Sequence, residues 1–261
     1  MTVQTSPKAG ADTTSASGLY CYGITWAQIA APQKETGVGG ESVEAVYDGE
    51  LAALTSPVAS TKVRARRRDL LNHSEVLAAA LERGTVLPLR FGVVFESEVA
   101  LVEGFLRPRH AELVALLRKF EGQVELTVRA YYEENAILAE IVQENPRIAR
   151  LREESRADAA TYPLKVELGE RVAGELQRRT YRDRDALLSR LSPLARDLEI
   201  DQEPIEHQVL RASFLVERGH VSAFDAAMDE LARRHAGRIL FKYVGPLAPH
   251  SFVTVADPEP R

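Results

Sequence analysis

The chain has 261 residues, 45% hydrophobic and 27% charged, with 33 basic against 38 acidic side chains and a formal net charge of −5. That is ordinary globular composition, long enough for one large domain or two modest ones, and the balanced charge gives no general pull toward nucleic acid or an anionic membrane. A single cysteine, Cys21, excludes an internal disulfide and a cysteine-based zinc site and suits a reducing cytosol, and no apolar run is long enough to span a bilayer.

Residues 1–17 are rich in Ser, Thr, Gly and Ala, lack the apolar stretch of a signal peptide and read as a disordered tail. Leu19 to Thr25 (LYCYGIT) is predicted as the first strand. The Pro/Gly-rich stretch APQKETGVGG reads as a loop, and its cluster Gly37-Val38-Gly39-Gly40 has no following helix that would make it a phosphate cradle. A hairpin comes next, with Val43 to Tyr47, a type I′ turn at Asp48-Gly49, and Leu51 to Val58. Asp69 to Arg83 is predicted as a helix with Leu70, Leu77 and Leu81 on one side and Leu71 and Ala78 widening the apolar stripe, stopped by Gly84. Val86 to Val94 (VLPLRFGVV) is apolar but broken by Pro88 and Gly92, which makes it an edge or bulged strand.

Ser97 is placed to cap the next helix, and Pro108 implies a break in it. Gln123 to Tyr131 alternates as a half-buried strand. From Glu133 to about Thr180 the pattern is helical and charged, interrupted at Asn145-Pro146 and restarting at Thr161-Tyr162-Pro163. Its series Leu164, Leu168, Val172 and Leu176 is too short for a coiled coil and reads as packing onto a sheet. Ala186 to Leu198 suggests a short helix broken by Pro193. The last third reads as a strand (His207 to Glu217), a helix (Val221 to His235), a strand (Arg238 to Val244), a turn at Gly245-Pro246 and a short strand (Ser251 to Val255). The fold class is α+β, with a tail over 1–17, an N-terminal domain over 18–134, a helical connector over 135–160 and a C-terminal domain over 161–261. The first domain reads as an elaborated ferredoxin-like plan and the last as a reduced one.

Catalytic patterns are weak. His73 and Glu75 near Arg90 would offer an acid–base pair with an anion clamp, but helix positions i and i+2 do not share a face. Cys21 in a strand between two tyrosines reads as a small core residue rather than a nucleophile. The basic run Arg64 to Arg68 (RARRR) has no stacking aromatic beside it, so it reads as a solvated segment before a helix rather than a nucleic-acid site, with a contact to acidic residues of a partner protein as the second choice.

Three blocks carry a resemblance: LYCYGIT, HSEVLAAALERGTVLPLRFGVVF from His73 to Phe95, and FKYVGPLAPHSFV from Phe241 to Val253. In order and spacing they resemble the GvpF/GvpL family of gas vesicle accessory proteins, over roughly Gly18 to Val255. The resemblance implies two α+β domains of ferredoxin-like character and a non-enzymatic assembly factor, located with the gas vesicle in the cytoplasm. It also implies partners in the hydrophobic shell subunit GvpA and other accessory proteins; one cysteine and no clustered ligand spacing predict no metal or cofactor, and charge balance with no long apolar run predicts no nucleic-acid or membrane partner. Pro88, Arg90 and Gly92 in the interrupted strand are the candidate partner-binding residues, since a broken edge leaves backbone groups for an incoming segment. The alternative is a small-molecule-binding regulatory module on a ferredoxin-like sheet. Deleting residues 1–17 is expected to leave the melting temperature almost unchanged in calorimetry; a fall of many degrees would mean that the tail packs on a domain.

Overall fold

The computed structural model describes residues 18–30, 35–156, 161–201 and 207–253. The tail expected over 1–17 lies outside the described residues. The chain divides into two compact units, one ending at Glu121 and the other beginning at Gly122.

The first unit contains β1 (Gly18–Trp26), β2 (Glu44–Asp48), β3 (Leu51–Val58), α1 (Arg67–Arg83), β4 (Val86–Pro88), β5 (Val94–Phe95), α2 (Glu98–Leu101) and α3 (His110–Lys119). Its sheet runs β2-β3-β1-β4, β5 also pairs with β1, and every pairing is antiparallel. The hairpin forms one residue later than expected: Asp48 still pairs with Leu51, so the loop is Gly49-Glu50. Only Gly49 takes a positive φ, 63°, so the loop is not the type I′ turn expected. Asp48 is thereby kept in the strand, where its carboxylate binds Arg107 at 3.2 Å.

Ser97 caps α2 as expected, its hydroxyl accepting from the Ala100 amide at 3.1 Å. The helix then widens into a π-turn over Val102–Leu106 before α3. For α1 the length is close to expectation but the face is not. Leu77 and Leu81 are buried with His73, Val76 and Ala80, whereas Leu70 is 41% and Leu71 53% exposed. Leu70 stands seven residues before Leu77 and so on the same side, but in the first turn, where it stays exposed; Leu71 lies on the outer side with the exposed Ala78, so the predicted stripe ran one row too wide.

The second unit contains β6 (Gln123–Tyr132), α4 (Glu134–Glu144), α5 (Pro146–Ser155), α6 (Tyr162–Leu191), β7 (Asp197–Ile200), β8 (Gln208–Glu217), α7 (Val221–Arg234) and β9 (Ile239–Leu247). Its antiparallel sheet runs β7-β8-β6-β9. With α4 to α6 as the first crossover and α7 as the second, this is the βαββαβ ferredoxin-like plan in full.

The expected boundary at Glu134 is therefore corrected. β6 is a central strand of the second sheet, paired on both sides with strands C-terminal to it, and belongs to the second unit. The expected connector over 135–160 is corrected with it: Ile137, Ile141 and Ile148 of α4 and α5 sit in the same hydrophobic core as β6, β8 and α7. Each such fully buried side chain contributes about 1.5–3 kcal/mol. Leu168, Val172 and Leu176 of α6 pack against that core too. The short helix expected up to Leu198 is instead the end of α6, a 3₁₀ turn over Ser192–Leu194 and then β7. β9 continues through Gly245-Pro246 rather than turning there, because it lies at the sheet edge and a bulge between Val244 and Leu247 takes up the extra residue. Ser251 and Phe252 form a turn, not a strand.

Beneath the helices lies an ion cluster. Arg179, 3% exposed, binds Glu140 directly, Glu144 at 2.8 Å and Glu175 at 3.1 Å. Arg238 binds Glu140 at 2.6 Å and Asp183 at 2.7 Å, and the Tyr132 hydroxyl donates to Asp183 at 2.6 Å. The hydrogen bond from Arg238 holds Glu140 below its ordinary 4.5. Burial opposes ionisation of Asp183, but the bonds from Tyr132 and Arg238 outweigh it and hold that carboxyl below 3.8. Groups with depressed folded-state values stabilise the fold above their ordinary values and lose that contribution as pH falls through the depressed ones.

Arg179→Met, which leaves three carboxylates facing one another, is expected to cost about 3–5 kcal/mol in chemical denaturation at neutral pH. The penalty should shrink as pH drops below the ordinary carboxylate range. A neutral-pH loss under about 1 kcal/mol would show that the cluster is not structural.

Candidate functional site

The interrupted strand is pinned at both ends. Leu19 and Tyr20 of β1 pair with Phe95 and Val94, and Gly23 pairs with Pro88. Between these pairs the Leu89 amide donates to the Tyr22 carbonyl at 2.9 Å and the Cys21 amide donates to the Val93 carbonyl at 3.0 Å. Five residues, 89–93, thus face two of β1, and Arg90-Phe91-Gly92 is thrown outward as a bulge. Gly92 adopts φ 97°, a conformation that side-chain-bearing residues avoid.

The bulge rests on a buried polar aromatic cluster. The Gly92 amide donates to the Tyr20 hydroxyl at 3.1 Å, and that hydroxyl lies 2.9 Å from His73 Nδ1. With the Gly92 amide donating to it, the Tyr20 hydroxyl keeps its own hydrogen to donate to Nδ1. The Phe91 ring lies edge-on to Tyr20 and His73, with centroids 5.7 Å away in both cases. Tyr22, beside Tyr20, bonds Ser56 at 2.8 Å and accepts from the Val38 amide at 2.7 Å. Asp69 of α1 accepts from the Gly39 amide at 3.2 Å. These bonds fasten the turn Val38–Gly40 to β1 and α1, so the Gly-rich cluster serves packing.

Of the three candidate residues, Pro88 is buried in the sheet, Gly92 is half-buried and Arg90 is exposed. β4 lies at the end of the strand order and pairs only with β1, and its residues Val86 to Pro88, with Leu89 after them, are buried. What the bulge offers outward is the Arg90 side chain on a rigid support. Tyr20, Tyr22, Ser56 and Asp69 were not legible as its supports, because their convergence depends on strand register and helix placement.

The catalytic alternatives do not assemble. His73 is 5% exposed and faces the sheet, while Glu75 is exposed on the other side of α1. Burial pushes the Cys21 thiol up to about 12, so no thiolate forms at neutral pH. Burial also raises the Tyr20 and Tyr22 hydroxyls above their ordinary range.

The second unit has a shallow groove of about 310 Å³ on its sheet, lined in part by Arg129, Arg211, Ser213, Glu199 and Ser251. Its floor is the buried Glu125 carboxylate, which accepts from the Ser251 amide at 2.7 Å, the Ser251 hydroxyl at 2.7 Å and the Ser213 hydroxyl at 2.8 Å. Arg211 is paired with Asp201 at 3.1 Å. These partners are internal, so the floor of the groove fastens the turn after β9 to β6. Among the described residues no helix is long and apolar enough to cross a membrane.

Tyr20→Phe removes the partner of both the Gly92 amide and His73, with an expected loss of about 1–3 kcal/mol in chemical denaturation. Gly92→Ala is expected to cost about 1 kcal/mol or more from its positive φ alone. If both variants matched the parent protein, the bulge would not be held as described.

Known proteins share this architecture and sequence. The family model described as "Gas vesicle synthesis protein GvpL/GvpF" matches residues 18–254. "Gas vesicle protein F" of Streptomyces sp. (strain CB03234) is 36% identical over 90% of this chain and 98% of its own length. Among solved structures, the gas vesicle protein GvpF from Anabaena sp. PCC7120 superposes with a TM-score of 0.77 at 26% identity, covering 92% of this chain and 99% of that one. GvpF from Microcystis aeruginosa shares the fold with a TM-score of 0.72 at 23% identity, covering 90% and 98%. With the family model spanning both units, this chain belongs to the GvpL/GvpF family of gas vesicle synthesis proteins.

Proposed function

We propose that the protein is an assembly factor that binds the gas vesicle shell subunit GvpA, and other accessory proteins, through its first unit, with Arg90 as a contact. Family membership across both units ties the chain to gas vesicles. The observation that supports the finer reading is an exposed arginine on a bulge that backbone bonds, Tyr20 and His73 hold rigid. A shell that must exclude water needs subunits with apolar surface, and such subunits aggregate unless a partner covers them before assembly. A pre-organised contact spends little free energy on ordering when it binds. Arg90 would pair with a shell-subunit carboxylate, while Pro88 and Gly92 shape the bulge from within. The role requires no cofactor and no catalysis.

The test is co-purification of the shell subunit with the intact chain and with its Arg90→Glu variant, after checking that their melting temperatures agree. Loss of roughly tenfold or more of the captured subunit is expected, since reversing one partner of an interfacial pair turns attraction into repulsion. Undiminished capture by Arg90→Glu would remove the bulge from the interface. If the intact chain captures none, yet vesicle formation still requires it, the protein acts through another accessory protein.

A further inference from the structure

α1 carries a second surface that neither the core nor the bulge uses. Its inward row ends at Leu81, while Arg67, Leu70, Leu71, Ser74 and Ala78 are all exposed and fall within one face at helical spacing. Two leucines, 41% and 53% exposed, side by side near the start of the helix form an apolar patch that the described residues leave open. Lys62, Arg64, Arg66, Arg67 and Arg68, all exposed, lead into the same end of the helix. Among the described residues none of these five cations has an ion-pair partner, whereas Arg107, Arg147, Arg179, Arg196 and Arg238 are all paired. The concentration of unpaired positive charge stands out in a chain whose net charge is −5.

We propose that this face of α1, with the basic run before it, docks a short amphipathic helical segment of another protein that has leucine-like residues on one side and acidic residues beside them. The apolar pair would seat the partner's leucines, as in helix-on-helix recognition read at i, i+3 and i+4. The arginines would meet its carboxylates and speed the encounter. Charge decides against a second copy of this chain. The acidic side chains exposed along the helix are Glu75 and Glu82, so five cations against two carboxylates leave a surplus of three positive charges on each copy. Nucleic acid is disfavoured because phosphates gain nothing from the leucines and the stretch 62–82 has no exposed aromatic side chain for stacking. The surface lies on a different element from Arg90, and its test does not use the shell subunit, so either contact stands or falls alone.

The experiment titrates the intact chain into a fluorescently labelled synthetic helical peptide of Leu, Ala and Glu with leucines at i, i+3, i+4 and i+7. A scrambled peptide of the same composition and a short DNA duplex are run in parallel, all by anisotropy. The ordered acidic peptide is expected to bind roughly tenfold tighter than either control, and more weakly as salt is raised. Leu71→Ser and the triple variant Arg64→Glu, Arg66→Glu, Arg67→Glu should each weaken it several-fold while the melting temperature stays put, because all four side chains are exposed. The proposal falls if the duplex binds as well as the peptide, if the scrambled peptide matches the ordered one, if the variants bind like the parent, or if no peptide binds. It also falls if sedimentation shows self-association that Leu71→Ser abolishes, which would make a second copy the occupant.

Discussion

Buried backbone amides and carbonyls must find partners, and in each unit two inner strands have neighbours on both sides, one of them the strand on which the rest is built. In the first unit it is β1, flanked by β3 on one side and by the two pieces β4 and β5 on the other. Because β1 needs partners along its whole length, the interruption at Arg90-Phe91-Gly92 has to be bridged. The amides of Leu89 and Cys21 do this by pairing across it. The bulge is rigid for that reason: both of its feet are fixed by the strand it departs from, and the hydroxyl of Tyr20 holds its far side. In the second unit the corresponding strand is β6, between β8 and β9.

The elements that the sequence announces are those whose signals are local. LYCYGIT, the paired strands around Gly49, the Ser97 cap and the final strand-helix-strand all carry alternation, helical spacing or turn residues within a dozen positions. Pro88 and Gly92 likewise mark a broken edge strand by residue type alone. What periodicity does not report is which sheet a strand joins. The alternation of Gln123 to Tyr132 reads identically for either unit, and assigning it to the first reduced the ferredoxin-like plan of the other. β7 has only four residues and alternates too briefly to be distinguished from a helix end. Leu71 shows the same limit on a helix, since its apolar character says nothing about which side the sheet lies on. Of the candidate site, the bulge was legible and its support was not. Tyr20 lies 53 residues from His73 and 72 from Gly92 along the chain, and the three meet only through tertiary packing.

Charge is handled differently in different parts of the chain. Around α6 and β9 arginines and carboxylates are drawn into a cluster whose members satisfy one another, so a costly burial becomes a fixed geometry linking α4, α6 and β6. Glu125 is treated similarly by Ser213 and Ser251. In the run before α1 and its first turn, Lys62, Arg64, Arg66, Arg67 and Arg68 stay outside and, among the described residues, without an ion-pair partner.

The placement of β6 bears on how the chain is made. It is synthesised directly after the last helix of the first unit, yet neither of its neighbours exists at that moment: β8 begins at Gln208 and β9 at Ile239. At about 5–20 residues per second the ribosome needs several seconds to supply them. During that interval a strand with one apolar face and both edges open waits for its partners, and α4 to α6 emerge next to it. Those helices bury Ile137, Ile141 and Leu187 against the same face of the sheet. They are therefore the first cover available to β6 while its pairing partners are still being translated, and the long helical crossover shields a nascent strand before it serves as a layer of the finished fold.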